Sequence, residues 1–211
     1  MKRFILIAAV LLCNMAAAQT VISTRNTSLV IDATEGKVPQ FVYYGALLSA
    51  GDLADLGSAG FGTCALYPTH NANAAVLEAL SVKMPDGNLS ADLRSTGVSE
   101  SSWEGGRIVS ISCKDPLYPL EVKIFFKSYD ESDVIGTWTE IRNAATKKKN
   151  SDMVLTRFDS GCLPVPMGDV WVSSFGGSWA GEATLNCQPL GPGVRTIYNK
   201  DGVRNTQTSH S

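Results

Sequence analysis

The most regular stretch of the chain lies at its centre. From Arg107 to Cys113, Val109, Ile111 and Cys113 alternate with Ile108, Ser110 and Ser112. From Leu120 to Lys127, Leu120, Val122, Ile124 and Phe126 alternate with Glu121, Lys123, Phe125 and Lys127. Val134 to Asn143 repeats the pattern, with Ile135, Thr137, Thr139 and Ile141 on one side and Val134, Gly136, Trp138 and Glu140 on the other. β-Branched and aromatic residues at period two predict strands with one buried and one wet face. The links, Asp115-Pro116 and the polar run Tyr129–Asp133, are short, so the three strands are expected to form an antiparallel meander.

Weaker signals flank this centre. Ser28–Ile31 and Val38–Tyr44 enclose the turn Glu35-Gly36 and predict a hairpin. Leu80–Met84 reads as a strand that turns at Pro85-Asp86-Gly87-Asn88, with Leu89–Ser95 as its expected partner. Met153–Phe158, Val170–Ser173, Ala183–Cys187 and Val194–Tyr198 read as further short strands. Ala46–Tyr67 is rich in Gly, Ala, Ser and Leu, and predicts a long loop with room for one helical turn. About ten strands and no amphipathic run of helical length indicate an all-β antiparallel sandwich or barrel. Parallel α/β architecture would need crossover helices. No internal repeat and no linker interrupt the pattern, which predicts one domain.

The first eighteen residues break that pattern. Lys2 and Arg3 precede the apolar run Phe4–Leu12, and Ala16-Ala17-Ala18 follows. This is the form of a secretory signal, too short to span a bilayer, which takes about 20 apolar residues. Leu12 stands before Cys13, where lipid modification calls for a small residue. The expectation is a signal peptide over 1–18, a mature domain over 19–211, and export to the periplasm or beyond the cell. Export permits Cys64, Cys113, Cys162 and Cys187 to oxidise. Four cysteines allow three pairings, which remain open. Without C-x-x-C spacing they read as thiols or one or two bridges rather than a zinc site.

Composition narrows the function classes. Of 211 residues, 44% are hydrophobic and 18% charged, a globular balance rather than a disordered one. A net charge of −2 and the lack of a basic stripe argue against a dedicated nucleic-acid binder. The run Lys147-Lys148-Lys149 reads as solvated surface. No phosphate loop, dinucleotide fingerprint or G-x-S-x-G appears, so no cofactor is expected. Asp32, Asp86, Asp115, Asp130, Asp133 and Asp201 fall in turns, where Asp usually caps its own backbone. Trp138 lies in a strand and reads as core or inter-sheet packing. Trp179 differs: it sits in Phe175-Gly176-Gly177-Ser178-Trp179-Ala180-Gly181-Glu182 among small residues. An aromatic ring so placed suits the C–H face of a pyranose, and packing is the equal alternative.

Several segments together carry more than any one alone. They are Tyr67-Pro68-Thr69-His70; Asp86-Gly87-Asn88 with Asp92-Leu93-Arg94; Asp133-Val134-Ile135 with Thr139-Glu140-Ile141-Arg142-Asn143; and Arg157-Phe158-Asp159-Ser160-Gly161. The series continues with Gly177–Glu182 and Gly202-Val203-Arg204-Asn205-Thr206-Gln207-Thr208-Ser209-His210. In order and spacing the chain resembles the N-terminal domain of glycoside hydrolase family 36 α-galactosidases, especially secreted bacterial ones. The resemblance implies a large antiparallel β-sandwich of the galactose-mutarotase type. It also implies hydrolysis of terminal α-galactosyl groups with retention, by two aspartates on a (β/α)₈ barrel that follows the sandwich.

A barrel takes about 250 residues and does not fit in this chain. The expectation is therefore a partial sandwich, truncated before the barrel, with no catalytic residue of its own and no activity alone. Its expected partners are a catalytic barrel, on the same or a split polypeptide, and a galactoside or oligosaccharide. Trp179, Glu182, Arg204 and His210 are the candidate substrate contacts, chosen by residue type. The alternative is a stand-alone carbohydrate-binding sandwich.

Overall fold

The computed structural model describes residues 19–56, 64–70, 77–146, 152–164, 168–178, 181–191, 193–199 and 208–210. They fall in two compact units, Met1–Pro164 and Val165–Ser211. The strands of the first are β1 (Gln19–Ser23), β2 (Thr27–Asp32), β3 (Gln40–Ala46), β4 (Cys64–Ala65), β5 (Leu80–Lys83), β6 (Arg94–Trp103), β7 (Gly106–Lys114), β8 (Leu120–Tyr129), β9 (Val134–Asn143) and β10 (Val154–Phe158). The second unit holds β11 (Trp171–Ser178), β12 (Gly181–Pro189), β13 (Ile197–Asn199) and β14 (Thr208–His210).

The first unit is an antiparallel sandwich. One sheet has the order β1-β2-β3-β4, the other β6-β7-β8-β9, and β5 pairs with β10. The predicted meander is β7-β8-β9, and its alternation decides what is buried. Val109, Ile111 and Cys113 lie opposite Phe126, Ile124 and Val122. All six are buried, and they meet Ile22, Leu29, Ile31 and Phe41 of the other sheet in one core. Burying each large apolar side chain contributes about 1.5–3 kcal/mol. The opposite face of the meander carries Lys123, Phe125 and Trp138. Trp138 therefore packs outside the core: it is half-buried and stacks on Phe125 at 4.6 Å and 4°. The strand register explains this departure, because Trp138 pairs with Phe125 rather than with the buried parity of β8.

Two tight reversals depend on glycine. Gly87 takes φ +90° in the predicted Pro85–Asn88 turn, closed by Met84 N–H to Asn88 O at 2.7 Å. Gly106 takes φ +152° where β6 turns into β7, and any Cβ there would collide with Ser128 O. The turn at Pro85–Asn88 does not return into a partner for β5, as the sequence suggested. Residues 89–93 run irregularly, and the chain re-enters a sheet only at Arg94. Polar side chains at Asn88, Asp92 and Asp115 tie that stretch to a neighbouring turn, as detailed below.

The long loop over Ala46–Tyr67 contains a helix, α1 (Ala50–Leu56). Ser49 and Asp52 cap it reciprocally: Ser49 N–H donates to Asp52 Oδ2 at 2.8 Å, and Asp52 N–H to Ser49 Oγ at 3.2 Å. α1 buries no residue, so it adds nothing to the core. In the second unit β11 pairs with β12 and β13 with β14, each as a two-stranded antiparallel ribbon. Among the described residues, no helix is long and apolar enough to cross a membrane.

Candidate functional site

Two of the quoted segments, the one ending at His70 and the one holding Asn88 and Asp92, line a polar cleft of about 340 Å³ in the first unit. Val38, just before β3, and three further segments form its wall. His70 comes from the segment that follows β4. Asn88, Ser90 and Asp92 come from the irregular run between β5 and β6. Asp115, Leu117 and Tyr118 come from the turn between β7 and β8.

Asp115 is the centre of the arrangement. Its carboxylate is buried and accepts three backbone N–H groups: Leu117 at 2.8 Å, Tyr118 at 3.0 Å and Asp92 at 2.8 Å. The first two close its own turn, as the sequence predicted. The third fastens the β5–β6 run to the β7–β8 turn. Asp92 in turn holds Arg94, whose Nε lies 2.7 Å from Asp92 Oδ2 and whose Nη1 donates to Gly36 O at 3.2 Å. On the rim Asp86 accepts Asn88 N–H at 3.0 Å and the Tyr118 hydroxyl at 2.8 Å. The Asn88 N–H and then the Tyr118 hydroxyl hold the Asp86 carboxyl below its ordinary range. The Asn88 amide, donating to Tyr118 Oη, pulls the Tyr118 phenol down. The acceptor Asp86, burial and the charges of Asp86 and Asp115 outweigh it and leave the phenol raised. His70 Nδ1 stands 3.8 Å from Glu78 Oε1, a half-exposed pair worth little.

The other quoted segments act as staples as well. Tyr67 Oη donates to Asp159 O at 2.6 Å, and Thr69 Oγ1 to Ala91 O at 2.6 Å. Burial first, then the Asp159 charge, pushes the Tyr67 phenol up to about 12. Thr139 Oγ1 donates to Ser160 O at 3.0 Å. Asp133, at φ +55°, accepts Asn26 N–H, Asn26 Nδ2 and Thr24 Oγ1 at 2.6–2.8 Å. It joins the chain on either side of the two sheets.

The hydrogen bonds of these clusters run within the domain itself. A glycosidase acid must hold a proton near neutrality, with its pKa raised. The carboxylates whose ionisation is displaced, Asp52, Asp86, Glu121 and Asp133, are all displaced downward. Hydrogen-bond donors cause each displacement, and they hold the groups ionised. Among the described residues no group of three His, Cys, Asp or Glu side chains is placed to hold a metal. Cys113, Cys162 and Cys187 are thiols rather than half-cystines. Burial pushes the Cys113 thiol up to about 12.

None of the residues chosen as sugar contacts is among those that line this cleft. Trp179 and Arg204 lie outside the described residues. Glu182 belongs to β12 and His210 to β14, where His210 pairs with Ile197; their side chains are not described. Both strands belong to the second unit, not to the polar cleft. The cleft escaped the sequence reading because Asp92, Asp115 and His70 are separated by whole strands. The only local sign was the turn Asp at 115.

The polar clusters of this all-β sandwich staple strands and turns to one another. The chain belongs to glycosyl hydrolase family 36, whose N-terminal domain matches residues 37–210. The α-galactosidase from Lactobacillus brevis shares the fold at a TM-score of 0.75 and 18% identity, over 88% of this chain and 29% of that one. A variant of AgaA from Geobacillus stearothermophilus, bound to 1-deoxygalactonojirimycin, gives 0.73 and 18%, over 90% and 30%. The galactosidase domain of the α-galactosidase–sucrose kinase AgaSK gives 0.70 and 20%, over 85% and 29%. The chain thus spans less than a third of the length of these structures. No curated protein matches the sequence.

Proposed function

We propose that this chain is the N-terminal sandwich of an α-galactosidase-type glycoside hydrolase. It supports a catalytic part that acts on terminal α-galactosyl groups, and these 211 residues do not themselves break the bond. One observation carries the reading. The family match over residues 37–210 coincides with a fold likeness to α-galactosidases that covers 29–30% of each of them. The substrate class follows the same relatives, since AgaA structures hold raffinose and stachyose. The downward-shifted carboxylates agree with a supporting role.

The test is hydrolysis of an aryl α-galactoside by the purified 211-residue chain. The expected result is no release above the buffer rate. Turnover at an enzyme-like rate, roughly 1 s⁻¹ or more, would place the reacting carboxyls inside this sandwich and overturn the proposal.

A further inference from the structure

The outer face of the meander is cationic in an acidic chain. β8 sends Val122, Ile124 and Phe126 into the core, so Glu121, Lys123, Phe125 and Lys127 stand on the other side. Directly opposed residues of an antiparallel pair share a face. That adds Lys114 from β7 and Trp138, Glu140 and Arg142 from β9. On these three strands the face carries four basic side chains against two acidic ones, a balance of +2, where the whole chain carries −2.

Two of these cations have a carboxylate partner and two do not. Glu121 holds Lys114 Nζ at 2.9 Å and Arg142 Nη1 at 3.7 Å. The other two have rings for neighbours. Lys123 Nζ lies 5.0 Å from the centre of the Phe125 ring, and Lys127 Nζ lies 3.8 Å from that of Trp103 and 4.9 Å from that of Tyr129. Among the described residues neither ammonium forms an ion pair with a carboxylate. A ring fixes the position of a cation but leaves its charge in place. Lys123 and Arg142 also line a hollow of about 240 Å³, together with Ser112, Lys114, Glu121 and Glu140. That is less than a drug-sized ligand takes, and it suits a single ring. The Phe125–Trp138 stack stands two residues further along the same face, about 7 Å away.

The lining selects among anions. Lys123 brings a charge that no carboxylate answers, so the ligand needs a negative group. Glu121 and Glu140 border the same hollow, so a dense polyanion such as nucleic acid would meet two like charges there. A sugar ring with a single carboxylate avoids that conflict. Its hydroxyls can donate to the glutamates, and the C–H face of a neighbouring ring can lie against the aromatic pair. We propose that the outer face of β7, β8 and β9 binds an acidic saccharide, with a pyranose carboxylate at Lys123 in the hollow and the Phe125–Trp138 pair as the platform beside it. The proposal goes beyond the functional reading above, no part of which calls for a charged ligand.

The experiment titrates the isotope-labelled 211-residue chain with trigalacturonate, with its fully methyl-esterified form and with raffinose, followed by backbone amide shifts. Galacturonate is chosen as the acid of the sugar in the functional reading; the acidic class itself comes from the face. Trigalacturonate is expected to saturate with a dissociation constant on the order of 1 mM, and to shift the amides of Ser112, Lys123, Glu140 and Arg142 most. The ester keeps the rings and removes the charge. It is expected to bind at least about fivefold more weakly, as is trigalacturonate to Lys123→Gln. Raising the salt from about 20 to about 200 mM should weaken trigalacturonate by a similar factor. Raffinose is expected to leave these amides unshifted. Lys83→Gln, which removes an exposed lysine from β5, is expected to bind like the unaltered chain. An ester that binds as well as the acid, or shifts that saturate away from these three strands, overturns the proposal. So does a flat titration with trigalacturonate, whether or not an oligothymidylate or phosphatidylglycerol vesicles bind in its place. The ester and salt comparisons use the unaltered chain, so the test stands even where Lys123→Gln does not fold. A flat titration leaves the functional reading to its own hydrolysis test.

Discussion

Replacing Asp115 tests whether the polar cleft is a structural clasp. Asp115→Ala removes the acceptor of three backbone N–H groups, from Asp92, Leu117 and Tyr118. A hydrogen bond to a charged group is worth about 1.5–3 kcal/mol, less where water can replace the partner. Leu117 is 83% exposed, so its turn is within reach of water, and the Leu117 and Tyr118 bonds are discounted. The bond to Asp92 joins two segments inside the clasp and keeps most of its value. The sum is about 3 kcal/mol. A domain of this size loses about 2–4 °C per kcal/mol, so the melting midpoint should fall by about 6–12 °C.

Asp115→Asn separates the contributions. Its amide oxygen still accepts the two turn N–H groups, but its NH₂ faces the Asp92 N–H donor. About half the loss is expected, roughly 1–2 kcal/mol. Thermal unfolding followed by circular dichroism gives both midpoints, and hydrogen exchange at the Asp92 amide reports the cross-turn bond directly. A midpoint for Asp115→Ala within about 2 °C of the unaltered chain would refute the clasp and free the carboxylate for another role.

Two further predictions concern acid and export. The Asn26 side chain and backbone and then Thr24 hold Asp133 below its ordinary range, and Lys114 does the same for Glu121. A carboxyl depressed on folding stabilises above its unfolded pKa, and that stability is lost as pH falls through the folded value. The midpoint should be flat from pH 7 to about 5, fall below about pH 4, and fall less steeply in Asp133→Asn. A maximum near pH 4, or an acid limb that Asp133→Asn leaves unchanged, would contradict this. Export is expected to remove residues 1–18, so N-terminal sequencing of secreted protein should begin at Gln19, where β1 also begins. A secreted product that retains Met1 would sink the signal-peptide reading.

The legible parts of the fold were those with a strong period. β7 and β8 bury their apolar parity in a single core, and β9 follows more weakly with Thr139 buried and Ile135 and Ile141 half-buried, so alternation located all three almost to the residue. β6 was missed over most of its length. Arg94-Ser95-Thr96-Gly97-Val98-Ser99-Glu100-Ser101-Ser102-Trp103 has no apolar rhythm, and β7 makes it a strand by pairing. β10 took the place expected for residues 89–95 because a sheet partner can come from anywhere in the chain, and local pattern does not rank distant candidates. The helix over Ala50–Leu56 had a readable cap in Ser49-x-x-Asp52, but no amphipathic stripe, because it buries nothing. The site followed the same rule. Turn caps such as Asp86 and Asp115 were visible because they act within two or three residues. The Asp92–Asp115 and Asn26–Asp133 bonds span 23 and 107 residues and carry no local sign.

That division explains why family membership was easier to read than chemistry. The segments that carried the resemblance contain Tyr67, Thr69, Asp92, Asp133 and Thr139, each of which ties together elements far apart in sequence. Such a residue is fixed by the fold: it must offer one hydrogen-bond geometry to one backbone group across a sheet gap. A set of them in fixed order marks a topology, and topology is what the family match and the related structures share at 18–20% identity. Their hydrogen bonds go to groups of the domain itself, so their order marks the family without marking a reaction.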